Sequence, residues 1–226
     1  MTTQQATQPA MQQATTGRLN QKLRTRTAIV RAAAELSTAG HEVTMPEIAA
    51  EALVSEATAY RYFPDLASLL GEAIADQLPT AAEALAPVAD CTDPVARVAA
   101  ATEFLLRHIL GRQGVVRALI AATIVRPGRP NARPGLRFGL IDQALAPLAG
   151  HPPGAIDPEV LAQLKRDLAV VVSAEALFSL TDLHGLDPEQ AVRSIVHTAT
   201  TLTRARLRDQ PRLCDQQSEP VAAAIT

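Results

Sequence analysis

The sequence predicts an all-α protein, and two kinds of observation carry this prediction. Of the 226 residues, 47% are hydrophobic but only 3% are aromatic, and Trp is absent. The core must therefore be built from Ala, Leu, Val and Ile, a composition that favours closely packed helices. Helix starts also recur, as in Asp157-Pro158 and Asp187-Pro188, where a capping Asp precedes a proline in the first turn and an acid follows.

Two short helices are predicted between Thr44 and Pro64. Thr44 and Glu47 form the pattern of a capping box, so the first helix begins here. Ser55 can cap the second helix, and Pro64 must end it because proline cannot continue the hydrogen-bond ladder. Two short helices joined by such a tight turn are a helix-turn-helix.

The second short helix has a polar stripe. It carries Thr58, Tyr60, Arg61 and Tyr62, which include both tyrosines of the chain. A helix this short can bury only one stripe, which Ala57, Ala59 and Phe63 already supply. Hydroxyl groups and a guanidinium on the other stripe suit contacts with DNA phosphates and base edges. The alternatives are a plain surface helix pair and a pair of buried core tyrosines.

Basic residues cluster before this motif. They are Arg18, Lys22, Arg24, Arg26 and Arg31, and no acidic residue lies among them. The formal net charge of −2 gives no global signal for nucleic acid, but a local basic arm can steer DNA. The alternative is a solvated basic tail. The predicted DNA contacts are Arg24, Arg26, Thr44, Ser55, Glu56, Thr58, Tyr60, Arg61 and Tyr62.

The segment 54–64, followed by Asp65 and Leu66, resembles the recognition-helix signature of the tetracycline-repressor (TetR) family. The resemblance extends upstream through residues 24–36 to Gly40, the usual first helix of the family and its stop. It implies an N-terminal three-helix helix-turn-helix DNA-binding domain and a C-terminal helical ligand-binding and dimerisation domain. It also implies a transcriptional regulator, more often a repressor than an activator. Such a regulator binds pseudo-palindromic double-stranded operator DNA as a homodimer and is released by a small-molecule effector.

Four positions depart from the family pattern. Leu53 stands in the turn where Gly is usual, and Glu56 opens the recognition helix where Lys or Arg is frequent. Ser37 replaces a common Phe, and a phosphate-binding Lys is missing near Leu66. Leu53 must take a left-handed conformation at some cost or reshape the turn. Glu56 suits the helix dipole but repels DNA phosphate.

Four segments are expected along the chain. They are a disordered N-terminal arm (1–20), the helix-turn-helix domain (21–67), the regulatory ligand-binding and dimerisation domain (68–208) and a flexible tail (209–226). The arm is rich in Gln, Thr and Ala and has little to bury. The first helix is expected from about Arg24 to Thr38, and a fourth helix capped by Asp65 links the two domains.

The Asp157 and Asp187 starts begin the two longest predicted helices, which run roughly to Leu183 and Leu207. Each helix has an apolar stripe, and two such pairs can form a four-helix bundle across a twofold axis. The alternative is that the pair is ordinary core of one chain. The predicted dimer interface comprises Leu164, Leu168, Val172, Val192, Ile195, Val196, Ala199 and Leu202.

A small apolar effector is expected to bind in the middle of the chain. Every phenylalanine outside the helix-turn-helix lies there, on three different predicted helices, where large rings can line a cavity between Ala-rich walls. The predicted ligand contacts are Phe104, His108, Thr123, Phe138 and Phe178. His108 and Thr123 supply the few polar points that such pockets use. The alternatives are a histidine satisfied by one internal hydrogen bond and a bundle that packs shut.

The sequence contains no recognisable motif for catalysis or metal binding. Gly-x-Ser-x-Gly, a phosphate-binding Gly-rich loop, His-Glu-x-x-His and Cys-x-x-Cys are absent. We therefore expect no catalytic residue, no metal and no cofactor; the alternative function is a helical small-molecule-binding protein or enzyme without DNA binding. Cys91 and Cys214 lack a paired spacing, and neither a signal core nor a membrane span is evident, so a cytoplasmic protein is expected.

Overall fold

The fold comes from a computed structural model that describes residues 8–38, 43–75, 77–125, 135–149 and 156–208. Every regular element in these ranges is helical, so the predicted all-α fold is confirmed. None of the helices in the described ranges is both long enough and apolar enough to span a membrane. The predicted tail at 209–226 and the first seven residues of the predicted arm lie outside the described residues.

In chain order, the α-helices are α1 (Gln8–Leu36), α2 (Met45–Glu51), α3 (Glu56–Tyr62), α4 (Leu66–Ala75), α5 (Ala81–Ala84), α6 (Pro94–Leu110), α7 (Gln113–Val125), α8 (Leu136–Ala144), α9 (Pro158–Val171), α10 (Ala174–Phe178) and α11 (Pro188–Arg208). Short 3₁₀ helices follow α5 and α8, at Ala86–Val88 and Ala146–Leu148. A turn of π-helix follows α10 at Ser179–Leu183.

These helices form two compact units. The first comprises Met1–Thr80 with Arg107–Leu136, and the second comprises Ala81–Leu106 with Arg137–Thr226. The sequence predicted one boundary after residue 67, which assigned α4 and α7 to the regulatory domain. Both helices belong instead to the first unit, because α7 packs against α4 and both contribute to the same buried core as α1–α3.

The core of the first unit is built from small and branched apolar side chains. Helix α1 packs against α2 and α4, α2 packs against α3, and α4 packs against α7. The buried residues that matter below are Ile29, Ala33, Ile48, Ala59, Phe63, Leu69, Leu70, Val115 and Leu119. One continuous core therefore holds the helix-turn-helix and α7 together.

Helix α1 begins at Gln8, although disorder was expected to residue 20 and a helix only from about Arg24. The segment ahead of Arg24 is rich in Gln and Ala, which have high helix propensity. Pro9 lies in the first turn, where its missing N–H costs no intrahelical hydrogen bond. A low content of apolar residues therefore did not prevent helix formation here, and the segment continues into the part of α1 that is buried at Ile29 and Ala33.

The second unit contains α9 and α11, which pack against each other. Asp157 accepts hydrogen bonds from the N–H groups of Glu159 and Val160 at 2.8 and 3.2 Å. Asp187 accepts one from the N–H of Gln190 at 2.9 Å. Both predicted helix caps are therefore confirmed.

The first helix of this pair is shorter than predicted. It ends at Val171 instead of continuing to Leu183, because Val172 leaves the helical region with φ −82° and ψ 73°. The hydroxyl of Ser173 then accepts a hydrogen bond from the N–H of Ala176 at 3.1 Å and caps α10. A run of β-branched valines has reduced helix propensity, and a following serine that can cap a new helix favours a break at this point.

Arg97, near the start of α6, joins several segments of the second unit. The residue is only 4% exposed. Its guanidinium donates to the backbone carbonyl oxygens of Val88 (2.7 Å), Ala89 (3.2 Å), Cys91 (3.3 Å), Gln143 (2.7 Å) and Ala144 (3.2 Å). The last two carbonyls lie at the C-terminus of α8, where the helix dipole places partial negative charge. Backbone dipoles therefore offset the cost of burying this cation.

The turn between α2 and α3 closes with a Schellman motif. The N–H of Leu53 donates to the carbonyl of Ala50 at 3.1 Å, and the N–H of Val54 donates to that of Ala49 at 2.9 Å. The motif needs a left-handed residue, usually Gly, and Leu53 takes this position with φ 56°. Of the two possibilities left by the sequence, the turn keeps its shape and Leu53 carries strain of about 1–2 kcal/mol.

Replacing Arg97 with Met is expected to lower the free energy of unfolding by about 3 kcal/mol or more, because carbonyl groups in the interior lose their donor. The urea-unfolding midpoint measures the effect. Arg193, exposed on α11, supplies the matched control, and Arg193→Met is expected to change stability by less than about 0.5 kcal/mol. Equal midpoints for the two variants would contradict the role assigned to Arg97.

Replacing Leu53 with Gly is expected to raise the free energy of unfolding by about 0.5–1 kcal/mol, the relieved strain less the larger backbone entropy of unfolded Gly. Leu53 is 93% exposed, so its side chain contributes little packing. The control is Leu53→Ala, which removes the apolar side chain but keeps the Cβ and hence the strain. If thermal unfolding shows the same gain for Ala as for Gly, backbone strain is not the cause.

Candidate nucleic-acid interface

The predicted capping box fixes the start of α2. The backbone N–H and the hydroxyl of Thr44 both donate to the same carboxylate oxygen of Glu47, each at 2.8 Å. A threonine has one hydroxyl proton, and a phosphate oxygen can only accept a hydrogen bond. In this arrangement the side chain of Thr44 orients α2 and has no proton left for the phosphate contact expected of it.

Helix α3 is anchored by a cap at its start and by buried side chains on one face. The hydroxyl of Ser55 accepts a hydrogen bond from the N–H of Thr58 at 3.2 Å and lies 2.9 Å from the hydroxyl of Thr58. Ala59 and Phe63 are buried in the core of the first unit. One of the two hydroxyls donates to the other, so one hydroxyl proton of the pair remains for an outside acceptor.

The remaining surface of α3 presents most of the predicted DNA-binding side chains. Arg61 is exposed, Tyr60 is 47% exposed and Tyr62 is half-buried. The guanidinium carbon of Arg61 lies 5.7 Å from the ring centroid of Tyr62, within cation–π range. Arg61 forms no ion pair with the described residues. Glu56 is exposed at the first position of α3, where its charge favours the helix dipole.

Arg26 and Arg24, both predicted to contact DNA, have different surroundings. The guanidinium of Arg26 donates to both carboxylate oxygens of Glu72 in α4, and its carbon atom lies 4.9 Å from the ring centroid of Phe63. Arg26 therefore ties α1 to α4 and covers the end of α3, whereas Arg24 is exposed. Sequence reasoning missed Glu72, because it lies 46 positions from Arg26 and no local pattern pairs residues so far apart.

The five residues predicted to contact a ligand fall in both units. Phe104, Phe138 and Phe178 belong to the second unit. Phe178 is buried, Phe104 is half-buried and Phe138 is 53% exposed. His108 and Thr123 belong to the first unit. The hydroxyl of Thr123 points to carbonyl oxygens of the preceding turn of α7 at 3.1 and 2.8 Å, so its proton is used within the helix.

His108 lies in the last turn of α6 beside Arg112. The Nη1 atom of Arg112 lies 3.4 Å from Nδ1 of His108. Burial of the ring, and secondly the positive charge of Arg112, lower the pKa of His108 below its ordinary value. The imidazole is therefore neutral at neutral pH. The described part of the chain contains no cluster of His, Cys, Asp and Glu side chains that could hold a metal ion.

Most residues predicted for a dimer interface are buried inside the single chain. They are Leu164, Leu168, Val172, Val192, Ile195 and Ala199. These six side chains keep little or no surface for a second chain, and their part in a dimer interface stays a prediction. The apolar stripes of α9 and α11 serve the core of their own chain, which was the alternative left open by the sequence. Val196 and Leu202 are half-buried and keep surface for a partner.

Comparisons with known proteins found one family model and two solved structures that resemble this chain. Residues 29–73, which include α2, α3 and most of α4, match the family model of bacterial regulatory proteins of the tetR family. A tetR-family transcriptional regulator from Streptomyces coelicolor shares the fold with a TM-score of 0.50 at 20% identity, over 85% of this chain and 95% of that chain. A TetR transcriptional regulator from Rhodococcus sp. RHA1 aligns with a TM-score of 0.48 at 22% identity, over 80% of this chain and 97% of that chain.

No match is found among curated proteins. The matched segment contains the capping box, the left-handed turn and the exposed face of α3, so the family match and the helix-turn-helix geometry concern the same residues. The fold is all-helical, with the helix-turn-helix near its N-terminus and further helices after it. This order agrees with the family match and with the helix-turn-helix geometry. In residues 29–73, the segment that forms the helix-turn-helix, this chain is similar to the tetR family of bacterial regulatory proteins.

Proposed function

We propose that the chain is a repressor that binds a pseudo-palindromic operator as a homodimer and leaves it when a small apolar effector binds. The observation that carries this proposal is the exposure of Tyr60 and Arg61 on a helix whose opposite face is buried with Ala59. A guanidinium that forms no ion pair with the described residues can form two parallel hydrogen bonds with a guanine edge. A phenol at its side can donate to a phosphate oxygen.

The predicted DNA contacts divide into reading, gripping and positioning roles. Arg61 reads a base, while Tyr60, Tyr62 and the Ser55–Thr58 hydroxyl pair grip phosphates. Arg24, exposed on α1, adds a sequence-independent phosphate contact. The roles of the other three are indirect: Thr44 orients α2 through Glu47, Arg26 holds α1 on α4, and Glu56 limits affinity for the phosphate backbone. In this proposal, DNA affinity depends on a few specific contacts rather than on a large positive surface.

A homodimer gives two reading helices related by a twofold axis. Such a dimer binds half-sites spaced about 34–36 Å apart, one turn of DNA, or a modest adjustment of that distance. The surface proposed for the partner includes Val196 and Leu202, which are half-buried, and Val170 of α9, which is 75% exposed. Large apolar side chains that a single chain leaves in water are suited to burial in an interface.

In this proposal, effector binding and operator binding are thermodynamically linked. A ligand that weakens operator binding tenfold must itself bind about 1.4 kcal/mol more weakly to the DNA-bound dimer. The proposal keeps Phe104, Phe138 and Phe178 as apolar contacts and His108 and Thr123 as polar ones. Two observations support a connection with DNA binding: Thr123 lies on α7, and α7 shares its buried core with the helix-turn-helix.

The alternative function, a helical small-molecule-binding protein or enzyme without DNA binding, predicts no specific DNA complex. A gel-shift assay with the DNA upstream of the chain's own gene and of its neighbouring genes separates the two. A discrete, competitor-resistant complex supports the regulator. If unrelated competitor DNA abolishes the binding at every salt concentration, the result supports the alternative.

Replacing Arg61 with Ala is expected to weaken binding to the cognate operator by about 1–3 kcal/mol and to relax the preference at one base pair. Tyr60→Phe, which removes one phosphate donor, is expected to weaken all sequences alike. Affinities for a set of single-base operator variants measure both effects. Arg193→Ala, exposed on α11, is the charge-matched control. An Arg61→Ala protein that discriminates like the parent would remove Arg61 from the reading role.

Replacing Val170 with Asp is expected to give a monomer that loses operator binding, because a charge cannot be buried in an apolar interface without a partner. Since Val170 is exposed in the single chain, the fold itself is expected to survive, as circular dichroism can verify. Ala96→Asp, on an exposed position in the first turn of α6, is the control. Light scattering at micromolar concentration gives the mass, and a monomeric parent protein would refute the dimer.

A further inference from the structure

Arg112, in the turn between α6 and α7, has incompletely used hydrogen-bond donors. Its Nε atom is buried and has no hydrogen-bond partner among the described residues. Its Nη1 atom contacts only a ring nitrogen of His108, at 3.4 Å. Arg112 forms no ion pair in the described part of the chain. A buried N–H without an acceptor is costly and rare, so its lack of one among the described residues favours a bound acceptor at this place.

Three other arginines find their acceptors within the chain itself. Arg26 binds both oxygens of the Glu72 carboxylate, and Arg206 donates to Asp167 at 3.1 Å. Arg97, the most deeply buried, has five carbonyl acceptors. The incomplete satisfaction of Arg112 is therefore a local property of the α6–α7 turn and not a general feature of this chain.

His108 does not compensate the positive charge of Arg112, because a neutral imidazole carries no negative charge. A guanidinium can only donate, so the Nδ1 atom of His108 accepts from Arg112, and the ring proton of the neutral imidazole is on Nε2. The Nε2 atom is also buried. The unsatisfied Nε–H of Arg112 is the donor that an anion would complete, and the imidazole of His108 lies beside it.

We propose that Arg112 and His108 bind the carboxylate of the effector, which is accordingly an apolar molecule with one acidic end. Arginine suits this group, because a planar guanidinium can give two parallel hydrogen bonds to the two carboxylate oxygens. The inference rests on the proposed release of the repressor by an effector and adds the chemical class of that effector. The sequence alone did not select Arg112, because nothing in its neighbourhood distinguishes it from the other arginines.

The position of this site connects it to DNA binding. Val115 lies one helical turn after Arg112 and is buried in the core that also contains Phe63 at the end of α3. Between them lies α4, whose Leu69 and Leu70 are part of the same core and which packs against both α1 and α7. An anion that draws Arg112 toward itself displaces the first turn of α7, and close packing transmits that displacement to the helices around α3.

The test uses the full chain and two series of probes: straight-chain alkanoates, and primary alcohols of the same chain length, all below micelle-forming concentrations. Thermal shift gives binding, and a gel-shift assay gives release from the operator. The parent protein is expected to bind at least one alkanoate on the order of tenfold more tightly than its alcohol, the effect of one charge-assisted hydrogen bond. In Arg112→Met that preference disappears while operator binding without ligand is retained.

Two comparisons make the test decisive. Arg117→Met, at an exposed arginine of α7, is expected to keep the preference for the acid. Without ligand, Arg112→Met is expected to melt at the parent's temperature or above it, because it removes an unsatisfied donor, in contrast to Arg97→Met. A melting temperature that falls as far as that of Arg97→Met would make Arg112 a structural residue and overturn the proposal.

The outcomes also separate this inference from the proposed function. An equal response to acids and alcohols, no response to either series, or an acid preference that survives in Arg112→Met overturns the carboxylate site. Release of the operator by alcohols alone would leave effector-controlled repression in place with a neutral effector. Acid binding that requires Arg112 but does not change operator affinity would keep the anion site and refute release.

Discussion

Burial of Ala59 and Phe63 is the constraint on which the exposed face of α3, the proposed DNA-binding surface, depends. Helix α3 has only 7 residues, too few to be stable alone in water, so its conformation and orientation come from the side chains that it buries. The Arg26 guanidinium lies over the Phe63 ring and is held there by Glu72, which adds an electrostatic restraint to the apolar contact. Because Ala59 and Phe63 are buried in the core, Tyr60 and Arg61 lie on the solvent-exposed face of α3, in an orientation fixed by the first unit.

Arginine side chains show how differently one chain can compensate the same charge. Arg26 uses a carboxylate at a partly exposed position, where the pair costs little desolvation. Arg97 is nearly removed from water and uses backbone carbonyls, which bring partial charges without a second ion to desolvate. Arg112 has a buried Nε without an acceptor among the described residues, beside a histidine whose pKa burial lowers. The surroundings of Arg26 and Arg97 stabilise the fold. The surroundings of Arg112 leave a hydrogen-bond donor for the proposed ligand.

The helix pair α9 and α11 illustrates a limit of periodicity. Both apolar stripes are real, and their inner residues such as Leu164 and Ile195 are buried. The two stripes face the interior of one chain, which leaves half-buried and exposed positions, among them Val196 and Val170, for any partner. A salt bridge from Arg206 to Asp167 also joins these helices, and hydrogen bonds from Gln163 and then Arg206 lower the pKa of Asp167. The pair is thus complete as an intrachain contact before any dimer forms.

The sequence by itself determined the features that depend on neighbours along the chain. The capping box at Thr44, the caps at Asp157 and Asp187 and the short helix between Ser55 and Phe63 all arise from hydrogen bonds over a few residues, which residue type and spacing encode directly. Only the tertiary structure decided the partner of Arg26, the carbonyls around Arg97, the left-handed conformation of Leu53 and the burial of the α9 and α11 stripes within one chain. The physical reason is that helical periodicity shows which face of a helix is buried but not what covers it. Contacts across 46 positions, such as Arg26 with Glu72, exist only once the helices have packed.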